Sequence, residues 1–180
     1  MIIEHQENIS SNFEGTIVDI ETIGEFDNRY NDSREYKYIQ QIIFGFINGK
    51  GLHIFYVRER KKIAELNEKA AEIINSLERP FYAFNTDFER GVLFYELGSE
   101  IGFDGELNKE RYESKADAVR NLAIPNYGDP FYDKGVLCMQ AWKDGKFDSA
   151  IAHNRACLLK ERDILMKRGF RKPEELKFIK

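Results

Sequence analysis

The sequence predicts an α/β fold, a mixed sheet whose first three strands are antiparallel, flanked by helices. Two observations carry this expectation. Asn48-Gly49 sits between two apolar runs, and Asn-Gly favours the tight turns that join antiparallel strands. Further along, segments with apolar residues at helical spacing alternate with short apolar runs. A chain that moves from a hairpin to alternating helix and strand builds a mixed sheet with helices packed on it.

Each element has its own signal. Residues 1–14 are polar and read as an N-terminal arm. Residues 15–22 (GTIVDIET) are a β-branched run bounded by Gly and polar residues, the mark of a strand. Residues 25–37 are polar and turn-rich, hence loop. Residues 38–47 (YIQQIIFGFI) and 52–57 (LHIFYV) flank the Asn-Gly turn as a hairpin. In 59–77, Ile63, Leu66, Ala70, Ile73, Ile74 and Leu77 recur at helical spacing, and Pro80 ends the helix. FYAF (81–84) reads as a short buried strand, and Thr86 opens a helix to about residue 97. Residues 98–113 carry only a weak strand signal near 106–107. Helices follow over 117–123 and 134–142, separated by a loop at 124–131, and a long final helix covers 148–167. The expected organisation is one domain over 15–168 and a basic C-terminal tail over 169–180.

The chain of 180 residues suits a single domain with a substantial core. Its 42% hydrophobic and 32% charged residues exclude wholesale disorder. No apolar run approaches the ~20 residues that span a bilayer, and the N-terminus lacks the pattern of a signal peptide. Cys138 and Cys157 form no framework of pairs, which points to a reducing, cytoplasmic setting and no membrane. A net charge of −4 argues against blanket, histone-like DNA binding. It is compatible with an acidic metal site. Residues 160–180 hold eight Lys/Arg against four Asp/Glu, either a solvated helix end or a phosphate-contacting flank.

Three clusters could carry chemistry. Asp19 and Glu21 alternate along the first strand and so share a face. Two carboxylates in an apolar strand need a compensating charge, which a divalent cation bound through oxygen supplies; an edge strand with both acids in water is the other reading. Phe84-Asn85-Thr86-Asp87-Phe88-Glu89 lies where a strand meets a helix. There Thr86-x-x-Glu89 is also a capping box, in which Glu89 would accept from the Thr86 backbone N–H. In the final helix, His153, Cys157 and Glu161 fall on one face. A His and Cys at this spacing could bind zinc, but no second ligand pair exists. A Cys–His nucleophile lacks an evident orienting partner, and a partly buried Cys beside a hydrogen-bonded His is the plain structural reading.

In this order the motifs resemble the DEDD-type 3′–5′ exonucleases of the ribonuclease H-like superfamily, most closely the branch of ribonuclease H-like exonucleases known from sequence. Val18-Asp19-Ile20-Glu21-Thr22 is similar to the family's Asp-x-Glu strand. Phe84-Asn85-Thr86-Asp87-Phe88-Glu89 is similar to its Asn-x-x-Phe-Asp junction, with Glu89 where the family has Asp. Ala152-His153-Asn154-Arg155-Ala156-Cys157 is similar to its late helix, with Cys157 at the fourth acid. Gly128-Asp129-Pro130-Phe131 through Trp142-Lys143-Asp144-Gly145 looks like the branch's connection into that helix. The resemblance spans about residues 15–165.

The resemblance implies a ribonuclease H-like fold and a metal-dependent 3′–5′ exonuclease-like protein that hydrolyses nucleic acid phosphodiester bonds, with weakened activity. Asp19, Glu21 and Glu89 would hold one or two Mg²⁺ or Mn²⁺ ions, and His153 would be the general base. Cys157 or Glu161 would complete the ligand set. Asn85, Phe88 and Asn154 would contact single- or double-stranded nucleic acid. The alternative is a degenerate domain that binds nucleic acid or a protein partner without hydrolysis.

Overall fold

The computed structural model describes residues 1–180. Strands β1 (Ile3–Glu7), β2 (Thr16–Gly24), β3 (Ile39–Asn48), β4 (Gly51–Tyr56), β5 (Phe81–Ala83) and β6 (Gly105–Glu106) form one mixed sheet of six, ordered β1-β4-β3-β2-β5-β6. The pairs β2–β3, β3–β4 and β1–β4 are antiparallel, whereas β5 runs parallel to β2 and β6 parallel to β5. The helices are α1 (Ile63–Ser76), α2 (Thr86–Leu97), α3 (Lys115–Asn121), α4 (Gly135–Lys143) and α5 (Phe147–Arg168). The protein is therefore α/β, a mixed sheet flanked by helices. No helix is long and apolar enough to cross a membrane.

The central strands are apolar on both sides because helices cover both sides. Ile42, Ile43, Phe44 and Ile47 of β3 have no exposed surface, the pattern of a strand buried on two faces. Each such side chain contributes about 1.5–3 kcal/mol by leaving water. On one face α1 turns Ile63, Leu66, Ala70 and Ile74 inward. Its Asn67 side-chain oxygen accepts from Gln41 Nε2 of β3 at 2.8 Å. On the other face α5 lies across β2, β3 and β4 with α4 beside it.

Two features of β2 and β3 bring α5 close. Gly45 is the register partner of Asp19. A Cβ at Gly45 would lie 2.1 Å from Asn154 Oδ1, so only glycine lets α5 seat here. One step on, the register passes from Glu21↔Ile43 to Thr22↔Gln41, skipping Ile42. A bulge of this kind bends the strand and re-aims its side chains.

Both chain ends depart from expectation. Within the expected arm 1–14, residues Ile3–Glu7 form an edge strand on β4, and Arg155 of α5 donates to Glu7, with Nη2 at 2.9 Å. Its polar sequence disguises it, since edge strands are short and charged by design against aggregation. Part of the basic tail is tied into the fold, while Lys167, Lys172, Lys177 and Lys180 stay exposed as a solvated end would have them. Arg171 exchanges backbone hydrogen bonds with Glu106 and pairs with its carboxylate at 2.6 Å. Arg168 pairs with Glu113 at 2.6 Å, and Ile179 N donates to Ser33 Oγ at 2.8 Å. These two arginines are consumed inside the fold. A 3-10 turn, Ser33–Tyr36, interrupts the expected loop 25–37 and receives this tail.

Candidate metal centre

A cleft of about 750 Å³ opens where β2, α2, α3, α4 and α5 meet. Asp19 and Glu21 form part of its wall on β2, an interior strand, and both are buried. The same-face expectation holds, and the edge-strand reading does not. Asp19 is firmly fixed: Asn154 Nδ2 donates to Oδ2 at 2.7 Å and to the Asp19 carbonyl at 3.2 Å. Glu21 has no such donors. Burial raises its carboxyl to about 7, against the pull of His153 and with the push of Asp19.

Glu89 reaches the cleft because its capping duty is taken by another residue. The Thr86 backbone N–H and hydroxyl both donate to Glu106 Oε1, each at 2.9 Å. The helix cap is Asn85, not Thr86, and its side chain makes no cap bond. Glu89 is thereby released from the capping box. It is 5% exposed, and its Oε2 has no hydrogen-bond partner. Burial, then the Asp19 and Glu161 charges, hold its carboxyl well above the usual range. A buried carboxylate oxygen left unpartnered is costly unless a cation answers it.

On α5 the shared face predicted for His153, Cys157 and Glu161 is turned toward the acids. His153 Nε2 lies 3.6 Å from Glu21 Oε1, and His153 Nδ1 lies 2.8 Å from Asp129 Oδ1. Burial opposes charge on the ring, but Glu21, Cys157 and Asp129 outweigh it and raise its pKa to about 11. The surroundings of the metal-free site thus favour the protonated ring. The general-base role expected for it requires the neutral ring, with Nε2 free to accept.

Cys157 Sγ lies within 4.8 Å of carboxylate oxygens of Asp19 and Glu21, at the position of the missing acid. It is also 3.6 Å from His153 Nε2, so Asp129 is the orienting partner that the sequence did not reveal for a Cys–His pair. The surroundings nonetheless disfavour the thiolate. Burial pushes it up to about 11, with Lys115 opposing and Asp19 adding, whereas a nucleophilic cysteine needs a depressed value.

Two expected substrate contacts, Asn85 and Phe88, border the cleft. Phe88 packs with Tyr36 and Phe26, ring centroids 6.2 and 6.1 Å away. The third, Asn154, is fully buried and committed to Asp19, so it positions a carboxylate and does not face substrate. Glu161 is also fully buried, and its charge is met from the side by Lys115, Nζ to Oε1 2.6 Å.

Sequence reasoning missed three residues. Lys115 opens α3 behind the Ser114 cap and also reaches Asp19 Oδ1 at 3.1 Å. Asp129 accepts from Phe131 N, Asp133 N, His153 and Lys160. Burial works against its ionisation, yet these donors hold its carboxyl well below the usual range. Lys160 has no exposed surface and donates to Asp129, Asp133 and Asn126 at 2.9, 2.8 and 3.1 Å. Asp129 was signalled only by its Gly-Asp-Pro turn, and Lys160 looked like part of the basic tail. Nothing in the sequence marks Lys115.

The donor chemistry fits a hard divalent cation. Glu89 Oε2 and Glu161 Oε2 are buried without partners, Glu89 feels the charges of Asp19 and Glu161, and Asp19 and Glu21 group with Cys157, their ligand atoms within 4.8 Å of one another. Oxygen ligands of this kind suit Mg²⁺ or Mn²⁺. A second grouping, Glu21, Cys138 and His153, also has ligand atoms within 4.8 Å of one another. Burial and Glu21 hold the Cys138 thiol far above its ordinary value, which disfavours the thiolate that a soft metal would need. Comparison with family models, curated proteins and solved structures returned no match.

Proposed function

We propose that this protein is a metal-dependent, 3′–5′ exonuclease-like hydrolase of nucleic acid phosphodiester bonds, with a ribonuclease H-like fold and a weakened centre. The observation that carries the reading is convergence. Asp19 and Glu21 from β2, Glu89 from α2 and the His153–Cys157 face of α5 meet in one cleft, and Glu89 keeps a bare oxygen there. The sheet, mixed and flanked by helices, is compatible with that fold. Two buried free thiols accord with a cytoplasmic setting.

Asp19, Glu21 and Glu89 would hold one or two Mg²⁺ or Mn²⁺ ions, which when bound polarise the phosphoryl group and acidify water. The chain's own residues do the remaining work. Asn154 fixes the Asp19 carboxylate so that its oxygens do not swing with substrate. Asp129 anchors His153 Nδ1 and leaves Nε2 directed at Glu21 and the cleft, where the ring can hold a phosphate oxygen or orient attacking water. Phe88 offers an aromatic face and Asn85 a polar edge at the cleft wall, suited to the terminal nucleotide of single- or double-stranded nucleic acid. Cys157 contributes no charge where a fourth carboxylate would stand.

The test is turnover on 5′-labelled single- and double-stranded oligonucleotides in Mn²⁺. Stepwise shortening from the 3′ end, lost in Asp19→Asn and Glu89→Gln, is expected. Absence of cleavage, with Mn²⁺ bound and oligonucleotide retained, would favour the non-catalytic reading, which the neutral thiol at Cys157 keeps in play.

A further inference from the structure

The final helix carries one soft-metal ligand pair, His153 and Cys157, and the fold supplies a second. Cys138 on α4 and Glu21 on β2 come to the same point. Ligand atoms of Glu21, Cys138 and His153 lie within 4.8 Å of one another, and those of Glu21 and Cys157 do so too. Cys138 and Cys157 are the only cysteines of the chain, and both are buried and free. They belong to different helices, yet both reach Glu21. The exonuclease reading gives neither thiol a task.

We propose that Glu21, Cys138, His153 and Cys157 form a soft-metal site that takes one Zn²⁺ through two sulfurs, one nitrogen and one oxygen. Distance supports it first. Zinc bonds of about 2.3 Å to sulfur and about 2.0–2.2 Å to nitrogen or oxygen, at tetrahedral angles, place sulfur about 3.5–3.6 Å from nitrogen and nitrogen about 3.3–3.5 Å from oxygen. His153 Nε2 lies 3.6 Å from Cys157 Sγ and 3.6 Å from Glu21 Oε1. The Cys138 thiol, now donating to the Ala150 carbonyl at a long 3.7 Å, has to close on Glu21 and His153 by at most about 1.3 Å. The surroundings support it next. A zinc-bound histidine characteristically donates its other ring N–H to a carboxylate, which fixes the ring. His153 Nδ1 has that partner in Asp129 Oδ1 at 2.8 Å, and Asp129 is itself held by Phe131 N, Asp133 N and Lys160. Nε2 is left for the ion. Glu21, His153 and Cys157 border the cleft, which gives the ion its way in. The metal-free protein disfavours both thiolates, but a bound Zn²⁺ is the largest local charge and displaces their protons as it binds. The Lys115 charge favours the Cys157 thiolate as well. Sulfur donors select zinc over Mg²⁺ and Mn²⁺, so the site is distinct in kind from the acidic centre. The two share Glu21, and zinc therefore withdraws a ligand from that centre. This last consequence rests on the metal-dependent reading above; the zinc site does not.

The experiment loads the reduced, chelator-stripped full chain with one equivalent of Zn²⁺ and reads its ligands by X-ray absorption at the zinc edge. Two sulfur scatterers at about 2.3 Å and two nitrogen or oxygen scatterers at about 2.0–2.2 Å are expected. One sulfur, none, or no zinc uptake overturns the proposal and leaves the Mn²⁺ reading intact. Cys138→Ser is expected to lower zinc affinity at least about tenfold in chelator competition, whereas Glu89→Gln keeps it at the wild-type value. Unchanged affinity in folded Cys138→Ser overturns the proposal. Should thermal melts show that variant unfolded, the wild-type sulfur count decides alone. Mn²⁺ uptake, read by electron paramagnetic resonance, is expected to fall when the equivalent of zinc is present. Undiminished uptake overturns the sharing of Glu21, and failure of the zinc-free protein to bind Mn²⁺ counts against the metal-dependent reading alone.

Discussion

Gly45→Ala puts the geometry of the centre to a quantitative test. The strand backbone at Gly45 tolerates alanine, which by intrinsic preference would stabilise by about 0.5–1 kcal/mol. Space is the obstacle. The added Cβ would fall 2.1 Å from Asn154 Oδ1 and 3.0 Å from Leu158 Cδ1. Either α5 moves away by more than about 1 Å or the Asn154 carboxamide turns aside, since ordinary carbon–oxygen contact needs well over 3 Å. Overpacking of this kind costs about 1–3 kcal/mol. Turning Asn154 aside also breaks its 2.7 Å bond to the Asp19 carboxylate, worth about 1.5–3 kcal/mol for a charged acceptor. After the backbone gain, the net loss is about 1.5–5.5 kcal/mol. Urea denaturation of wild type, Gly45→Ala, Asn154→Ala and the double variant measures it. In the Asn154→Ala background the 2.1 Å clash is gone and only the 3.0 Å contact with the Leu158 methyl remains, which a small side-chain shift relieves, so Gly45→Ala should then cost under about 1 kcal/mol. Equal costs in both backgrounds would refute the close approach of α5 over Gly45.

Three further outcomes follow from the same residues. Lys160→Met should destabilise by about 3–5 kcal/mol in denaturant titration, because Asp129 and Asp133 lose their buried partner; a loss below about 1 kcal/mol would contradict the pairing. The metal-free protein should lose stability as pH rises from about 5 to about 8. Glu21 has its carboxyl raised from 4.5 to about 7, so its contribution is complete below the lower value and lost as pH climbs through the upper, on the order of 3 kcal/mol. His153, raised from 6.5 to about 11, acts in the same direction at higher pH. Melting curves in chelator should show this fall, and Glu21→Gln should flatten it. Cys157→Asp should lower metal-free stability by adding a third acid beside Asp19 and Glu21, yet raise Mn²⁺ affinity and Mn²⁺-dependent cleavage. Cys157→Ala should leave both nearly unchanged.

What could be read from the sequence was whatever rests on local pattern. The Asn48-Gly49 hairpin, the apolar run of β3 and the periodicity of α1 are local signals, and each element formed within a few residues of its expected place. The strand Ile3–Glu7 was hidden because an edge strand carries polar residues that resemble a free arm. The centre divided in the same way. The shared face of Asp19 and Glu21 and the α5 face follow from alternation and helical spacing, whereas Glu89 entered through the resemblance of its strand-to-helix motif. Lys115, Asp129 and Lys160 act across 96, 24 and 31 residues of chain, and only the packed fold brings them to their partners. Glu106 is the clearest case. The pattern Thr86-x-x-Glu89 promised a capping box, and a carboxylate 20 residues away took the Thr86 N–H, leaving Glu89 for the cleft.

The central claim is that Asp19, Glu21 and Glu89 hold a divalent ion. Anomalous diffraction from crystals soaked in Mn²⁺ tests it most directly. A peak with Asp19 and Glu89 oxygens at about 2–2.3 Å, absent from Asp19→Asn crystals soaked alike, is the expected result. Density with no anomalous peak in the cleft at saturating Mn²⁺, or a peak held only by Cys138 and His153, would contradict it.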